Sequence, residues 1–269
     1  MSPLFILGAD DPEMQAIEGL LRANGISIDF ARSGGDRVTD ANAYDAELPT
    51  TAQATLRQPH GAVYLVECVG ELPHGCTRIG HHREGEPGFG APPDSYWEAS
   101  SLGQTANAIT ERLHHGVLLG VYAQLIAAAD HCLLAAYRGE CYGVDPERLL
   151  KWRVLTYAQA VKRPPKEVWK EIEAARMAVL AAQRVTLAPG VFAVDMREST
   201  MPGVAEAAAR EGLCALTAKT SDDGKTIVAC VAGSPEHLRA FSEHWAAQSL
   251  TRLSVNPARQ FASGYLKAA

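Results

Sequence analysis

The sequence predicts an α/β fold in two parts. Short apolar runs suited to strands alternate with stretches in which apolar residues recur at helical spacing, the rhythm of a parallel sheet with crossover helices. After a long helical region a second such series begins near residue 190. At 269 residues the chain is long enough for one large or two modest domains. A composition of 47% hydrophobic and 21% charged residues fits a chain that buries a sizeable core.

The elements follow in order. Residues 4–7 are an apolar run ending at Gly8-Ala9-Asp10-Asp11-Pro12. Met14, Ile17, Leu20 and Leu21 then share a helical face that stops at Asn24-Gly25, a reasonable C-terminal cap. Residues 26–30 and 62–66 read as further strands, with Glu67 at the carboxyl end of the latter. Sites in open α/β sheets gather at the carboxyl ends of strands, so the acidic loop after the first strand and Glu67 are expected to be neighbours. Residues 80–93, rich in Gly, Pro, Glu and His, read as a loop. Helices are expected over 101–113, over 118–137 as a buried segment carrying Asp130, over 147–160 after Asp145-Pro146, and over 166–183. Residues 190–196, 213–218 and 226–232 read as strands, with helices at 204–211 and 234–245 and a turn at Asp222-Asp223-Gly224.

Charge and cysteine usage narrow the function classes. A net charge of −6 with no basic run disfavours duplex DNA as a partner, while a local pocket for a nucleotide or short oligonucleotide needs only a few cations. The six cysteines form no Cys-x-x-Cys pair, the N-terminus has no basic leader, and no apolar run is long enough for a membrane span. Reduced cysteines in a cytoplasmic protein are the expectation. A homodimer is compatible with the sequence.

Four groups of residues can carry chemistry. Asp10, Asp11 and Glu13 place carboxylates on a loop that a sheet would hold still, either as oxygen ligands for a hard divalent cation or as a helix cap. His81 and His82, followed by Arg83, sit in the glycine-rich loop. Adjacent histidines point in different directions, so one of them is expected to reach a given metal and the other to contact substrate or donate a proton. His114-His115 is a second pair, read as surface decoration. Asp130 is a carboxylate in an otherwise apolar helix, costly to bury unless paired or metal-bound, unless the helix turns it to solvent. The fourth group is Asn256-Pro257-Ala258-Arg259-Gln260, where Arg259 either holds a phosphate in a bidentate fork or sits in solvent. The single glycine after the first strand does not make a dinucleotide fingerprint, and no Gly-x-Ser-x-Gly elbow appears.

Taken in order, Ala9-Asp10-Asp11-Pro12-Glu13, Glu67, Gly80-His81-His82 and Asp130 resemble the motif series of the DHH phosphoesterase superfamily. That family includes RecJ-like exonucleases, nanoRNase-type oligoribonucleases, cyclic dinucleotide phosphodiesterases and manganese-class pyrophosphatases. Its pattern is His-x-Asp-x-Asp, an Asp at a second strand end, Asp-His-His and a later Asp. Residues 99–104 resemble the small-residue segment after Asp-His-His, and residues 256–266 resemble the close of the associated C-terminal domain. The departures are Ala9 for the first His, Gly80 for the Asp of Asp-His-His, Glu13 and Glu67 for aspartates, and no Gly-Gly-Gly-His loop.

The resemblance implies a DHH-like domain over 1–150, a helical connector over 151–188 and a substrate-binding domain over 189–269. It implies one or two manganese or magnesium ions held by Asp11, Glu13, Glu67, His82 and Asp130, which activate water for attack on phosphorus. His81, His82 and Asp130 would be catalytic, and Arg83, Asn256 and Arg259 would hold the phosphorylated small molecule or short oligonucleotide. A relative adapted to bind a nucleotide or protein partner without hydrolysis is the alternative.

Overall fold

The computed structural model describes residues 3–39, 41–113, 116–220, 224–257 and 259–267. The His114-His115 pair, Asp222, Asp223 and Ala258 lie outside them. The architecture is α/β. The chain divides into two compact units, Met1–His131 and Cys132–Ala269.

In the first unit β1 (Leu4–Leu7) leads into α1 (Pro12–Ala23) and β2 (Ser27–Phe30). A small hairpin of β3 (Arg32–Ser33) and β4 (Asp36–Arg37), then α2 (Thr50–Leu56), precede β5 (Val63–Val66) and β6 (Cys76–Ile79). The short α3 (Tyr96–Ala99) and the longer α4 (Ser101–Leu113) follow. The main sheet has the order β2-β1-β5-β6 with every pair parallel. Because β1 pairs in register with β5, Leu7 opposite Val66, the residues after both strands emerge side by side. The chain leaves β1 to one side for β2 and returns on the other side for β5. That reversal is a topological switch point, where a crevice opens at the carboxyl edge.

Strand alternation explains the two-sided core. Phe5 and Leu7 pack with Met14, Ile17 and Leu21 of α1 and with Leu102 and Ile109 of α4. Leu4 and Ile6 face the opposite side, against Leu65, Val38 and Ala52. Both faces of β1 are covered, which is why it reads as an unbroken apolar run.

The helix α5 (Ala123–Tyr137) begins later than the apolar composition of 118–137 predicts. Leu118 and Val121 are 94% and 77% exposed, and glycines at 116 and 120 flank this stretch, so it is an apolar surface segment rather than buried helix. Backbone angles at Cys132 are non-helical (φ −153°, ψ 52°), and the boundary between the units falls there.

The second unit contains α6 (Pro146–Ala160) and α7 (Pro165–Ala181), followed by β7 (Arg184–Ala188) and β8 (Val191–Met196). Next come α8 (Val204–Arg210), β9 (Ala215–Thr220), β10 (Thr226–Val231) and α9 (Pro235–Ala240). A π-turn over Phe241–Trp245 and α10 (Ala246–Ser249) lead to β11 (Leu250–Asn256) and β12 (Phe261–Leu266). The six-stranded sheet runs β11-β12-β10-β9-β8-β7, with only β8 and β9 parallel. The described residues of 256–266 belong mostly to the strand β12. β11, much of it exposed, lies at the sheet edge and lacks the apolar run by which the other strands are recognised.

Candidate metal centre

The crevice after β1 and β5 is built by close backbone approach. A methyl group on Gly8 would lie 2.6 Å from the carbonyl oxygen of Glu67 and 3.0 Å from that of Val66. Gly8 is therefore a contact glycine between two strand ends, not part of a nucleotide fingerprint. Gly8→Ala is expected to cost about 1–3 kcal/mol, because backbone and not a flexible side chain must move. Urea unfolding of the variant checks this, and an unchanged midpoint would refute the packing argument.

Glu67 itself has φ 50°, the left-handed region that costs a non-glycine residue about 1–3 kcal/mol. Its amide is tied to the Ile79 carbonyl at 2.9 Å, which sets it beside the chain leaving β6. Two residues beyond Ile79 come His81 and His82. His82 Nε2 lies 2.9 Å from Glu67 Oε1, and His81 Nε2 lies 2.9 Å from Asp130 Oδ2. The cross distances, His81 Nδ1 to Glu67 Oε1 and His82 Nε2 to Asp130 Oδ2, are both 3.5 Å. Glu67, His81, His82 and Asp130 each offer one ligand atom, and all four atoms lie within 4.8 Å of one another. Both histidines join the cluster, their rings 4.2 Å apart, where the sequence led to the expectation of one at a metal and the other at substrate.

The helix does not turn Asp130 away; its carboxylate faces both imidazoles and is 27% exposed. Glu13 is 2% exposed. Its Oε1 accepts the Leu102 amide at the start of α4 at 3.0 Å, while its Oε2 is buried with no hydrogen-bond partner among the described residues. Burial, then the charges of Asp130 and Glu67, push the Glu13 carboxyl well above its usual range, against the lowering effect of the Leu102 amide. Asp11 takes the capping role: its Oδ1 accepts the Met14 amide at 2.7 Å, and its charge also raises Glu13. It is not one of the four clustered residues.

Several supporting side chains have no signature in the sequence. Ser101 donates to Glu67 Oε1 at 2.6 Å, which commits its hydrogen, so at 3.3 Å its oxygen accepts from His81 Nδ1. That fixes the His81 tautomer and leaves Nε2 as the ligand atom, the usual arrangement behind a metal-binding imidazole. His131, 2% exposed, donates from Nε2 to the Ala91 carbonyl at 3.0 Å and packs edge-on against His81. Arg37 lies over the Phe30 ring, with Nε 3.4 Å from the Gly8 carbonyl, placing a cation at the carboxyl edge of β1. Arg83 is exposed and stacks its guanidinium 3.6 Å over the Tyr44 ring. In the second unit, Asn256 Oδ1 accepts the Arg259 amide at 3.0 Å, so Asn256 shapes the turn that exposes Arg259.

The donor set fits a divalent cation. Two ligand atoms about 2.1 Å from one ion and at right angles to each other are about 3.0 Å apart. The 2.9 Å and 3.5 Å separations among His81 Nε2, His82 Nε2, Glu67 Oε1 and Asp130 Oδ2 are compatible with neighbouring ligands of one ion, as they are with direct ion pairs. Carboxylate and imidazole donors suit manganese, zinc or iron, and added carboxylates favour manganese or magnesium.

No family model matches the chain, and no curated protein does. One similar solved structure is the pGpG-specific phosphodiesterase PggH from Vibrio cholerae, 9% identical, with a TM-score of 0.38 over 98% of this chain and 92% of that one. A likeness of that degree carries no functional argument, and the reading of function rests on the side chains. Among the described residues no helix is long and apolar enough to cross a membrane.

Proposed function

We propose that the protein is a metal-dependent phosphoesterase acting on a small phosphorylated substrate, a nucleotide or a short oligonucleotide. One observation carries this reading: Glu67, His81, His82 and Asp130 converge at the switch point of a parallel sheet, with the buried Glu13 carboxylate beside them. Carboxylates packed this closely repel one another, and the imidazoles set against Glu67 and Asp130 offset that charge only when protonated. A bound divalent ion resolves the repulsion.

Glu67, His81, His82 and Asp130 would hold that ion, manganese or magnesium, with Glu13 and Asp11 adding negative charge. Once bound, it supplies Lewis acidity toward a phosphoryl oxygen and activates water for attack on phosphorus. The chain's own residues prepare the rest. Ser101 holds Glu67 and His81 in place, His131 braces the His81 ring, and Arg37 and Arg83 are cations that offset phosphate charge.

The test is hydrolysis by purified protein with manganese or magnesium, against a generic phosphodiester, short oligoribonucleotides, cyclic dinucleotides and pyrophosphate, with a chelator control. Turnover that the chelator removes is the expected result. Failure to bind either metal overturns the reading. Binding without turnover would favour a repurposed relative that binds its ligand without cleaving it, a reading to which the diversion of Asp11 to helix capping lends weight.

A further inference from the structure

The carboxylate of Glu86 organises the histidine loop through backbone amides and is not one of the four clustered residues. Glu86 is 6% exposed. Its Oε2 accepts the amides of His82 at 2.6 Å and Arg83 at 3.0 Å. Its Oε1 accepts the Tyr44 hydroxyl at 2.6 Å and lies 3.7 Å from Arg78 Nη1. Three hydrogen bonds and an ion pair thereby engage both oxygens of the Glu86 carboxylate.

Gly80 shows what this carboxylate replaces. A Cβ on Gly80 would lie 2.7–2.8 Å from the carboxyl carbon and both oxygens of Glu86. A side chain at position 80 would therefore enter the space that the Glu86 carboxylate fills. An aspartate there would sit two and three residues before the amides of His82 and Arg83, the spacing at which an Asx turn grips following amides. Glu86 performs that grip from the other side of the loop, and a side chain at position 80 would push its carboxylate away from the two amides.

We propose that Glu86 is the positioning residue of the metal centre: by holding the His82 and Arg83 amides in the space that Gly80 vacates, it turns both imidazoles toward Glu67 and Asp130. The proposal rests on the metal-binding reading above. It also makes residues 80 and 86 an exchangeable pair, in which one carboxylate is required and two do not fit.

Manganese titration by calorimetry, with thermal unfolding of the metal-free proteins alongside, tests it on Glu86→Ala, Glu86→Gln, Gly80→Asp and the double variant Gly80→Asp/Glu86→Ala. Loss of a residue that orients metal ligands typically weakens metal binding about 10–100-fold, and Glu86→Ala is expected in that range. Glu86→Gln keeps an oxygen for the two amides and should retain most of the affinity. Gly80→Asp, which forces two carboxylates together, should lose both affinity and thermal stability. The double variant should bind manganese at least tenfold more tightly than Gly80→Asp alone, a comparison that stands even if Glu86→Ala does not fold.

Equal manganese affinity in wild type and Glu86→Ala, or no recovery in the double variant, overturns the positioning role and leaves the metal reading intact. A wild type that takes up no manganese overturns both.

Discussion

Replacing Asp130 with alanine is expected to lower metal affinity more than 100-fold and to reduce turnover about 1,000-fold or more without unfolding the metal-free protein. Asp130 faces both imidazoles, and its loss takes the one aspartate from the four residues proposed to hold the ion. Losing a group that only orients a ligand already costs about 10–100-fold in metal affinity, so losing a ligand costs more. A metal contributes several kcal/mol of transition-state charge stabilisation, and each 1.4 kcal/mol or so is tenfold in rate. The fold should survive because Asp130 repels Glu13, and that repulsion leaves with it. Asp130→Asn keeps an oxygen but not the charge and should fall between wild type and alanine. Calorimetric manganese titration together with steady-state kinetics checks the series. An alanine variant with wild-type affinity would remove Asp130 from the centre.

How much of this was legible in the sequence depends on the element. The first unit announces itself because β1 is covered on both faces and α1 and α4 are amphipathic, so local patterning and tertiary packing agree. The strand β6 is short and at the sheet edge, and β11 is mostly exposed, so neither carries the apolar signal of a central strand. The segment before α5 misleads in the opposite direction, since Leu118 and Val121 look like core residues and are exposed.

The centre divides along the same line. Glu67, His81, His82 and Asp130 are titratable groups in unusual surroundings, at a strand end, in a glycine-rich loop and on an apolar helix, and so they stand out one residue at a time. Ser101, His131 and Glu86 act only through contacts between residues distant in sequence or through the bend of a loop. The Glu86 grip depends on an absent side chain at position 80, which the sequence marks as a departure at Gly80 without pointing to Glu86. Asp11 caps α1 and, through its charge, raises the buried Glu13 carboxyl, but it is not one of the four clustered residues.

That dual character implies a cost that can be measured. Glu13→Gln is expected to make the metal-free protein more stable at pH 8 and the metal-loaded protein less stable than wild type. The folded state holds the Glu13 carboxyl well above its ordinary range through burial and the charges of Asp130 and Glu67. In the unfolded chain it ionises near the usual value of about 4.3. Between the two pKa values the folded protein carries a proton that the unfolded chain has lost, so stability falls as pH rises through that window. Glutamine is neutral throughout, can still accept from the Leu102 amide, and removes that part of the slope. A divalent cation inverts the order, since ligand at about 100 times its dissociation constant adds about 2.7 kcal/mol to a protein that binds it only when folded. Wild type should gain this in full, and the variant, short of one negative charge beside the ion, should gain less. Thermal unfolding at pH 5 and pH 8, with and without manganese, reads all four states. Should manganese stabilise both proteins equally, Glu13 lies outside the metal's reach. A variant less stable than wild type at pH 8 without metal would mean that the buried carboxylate is satisfied by the protein alone.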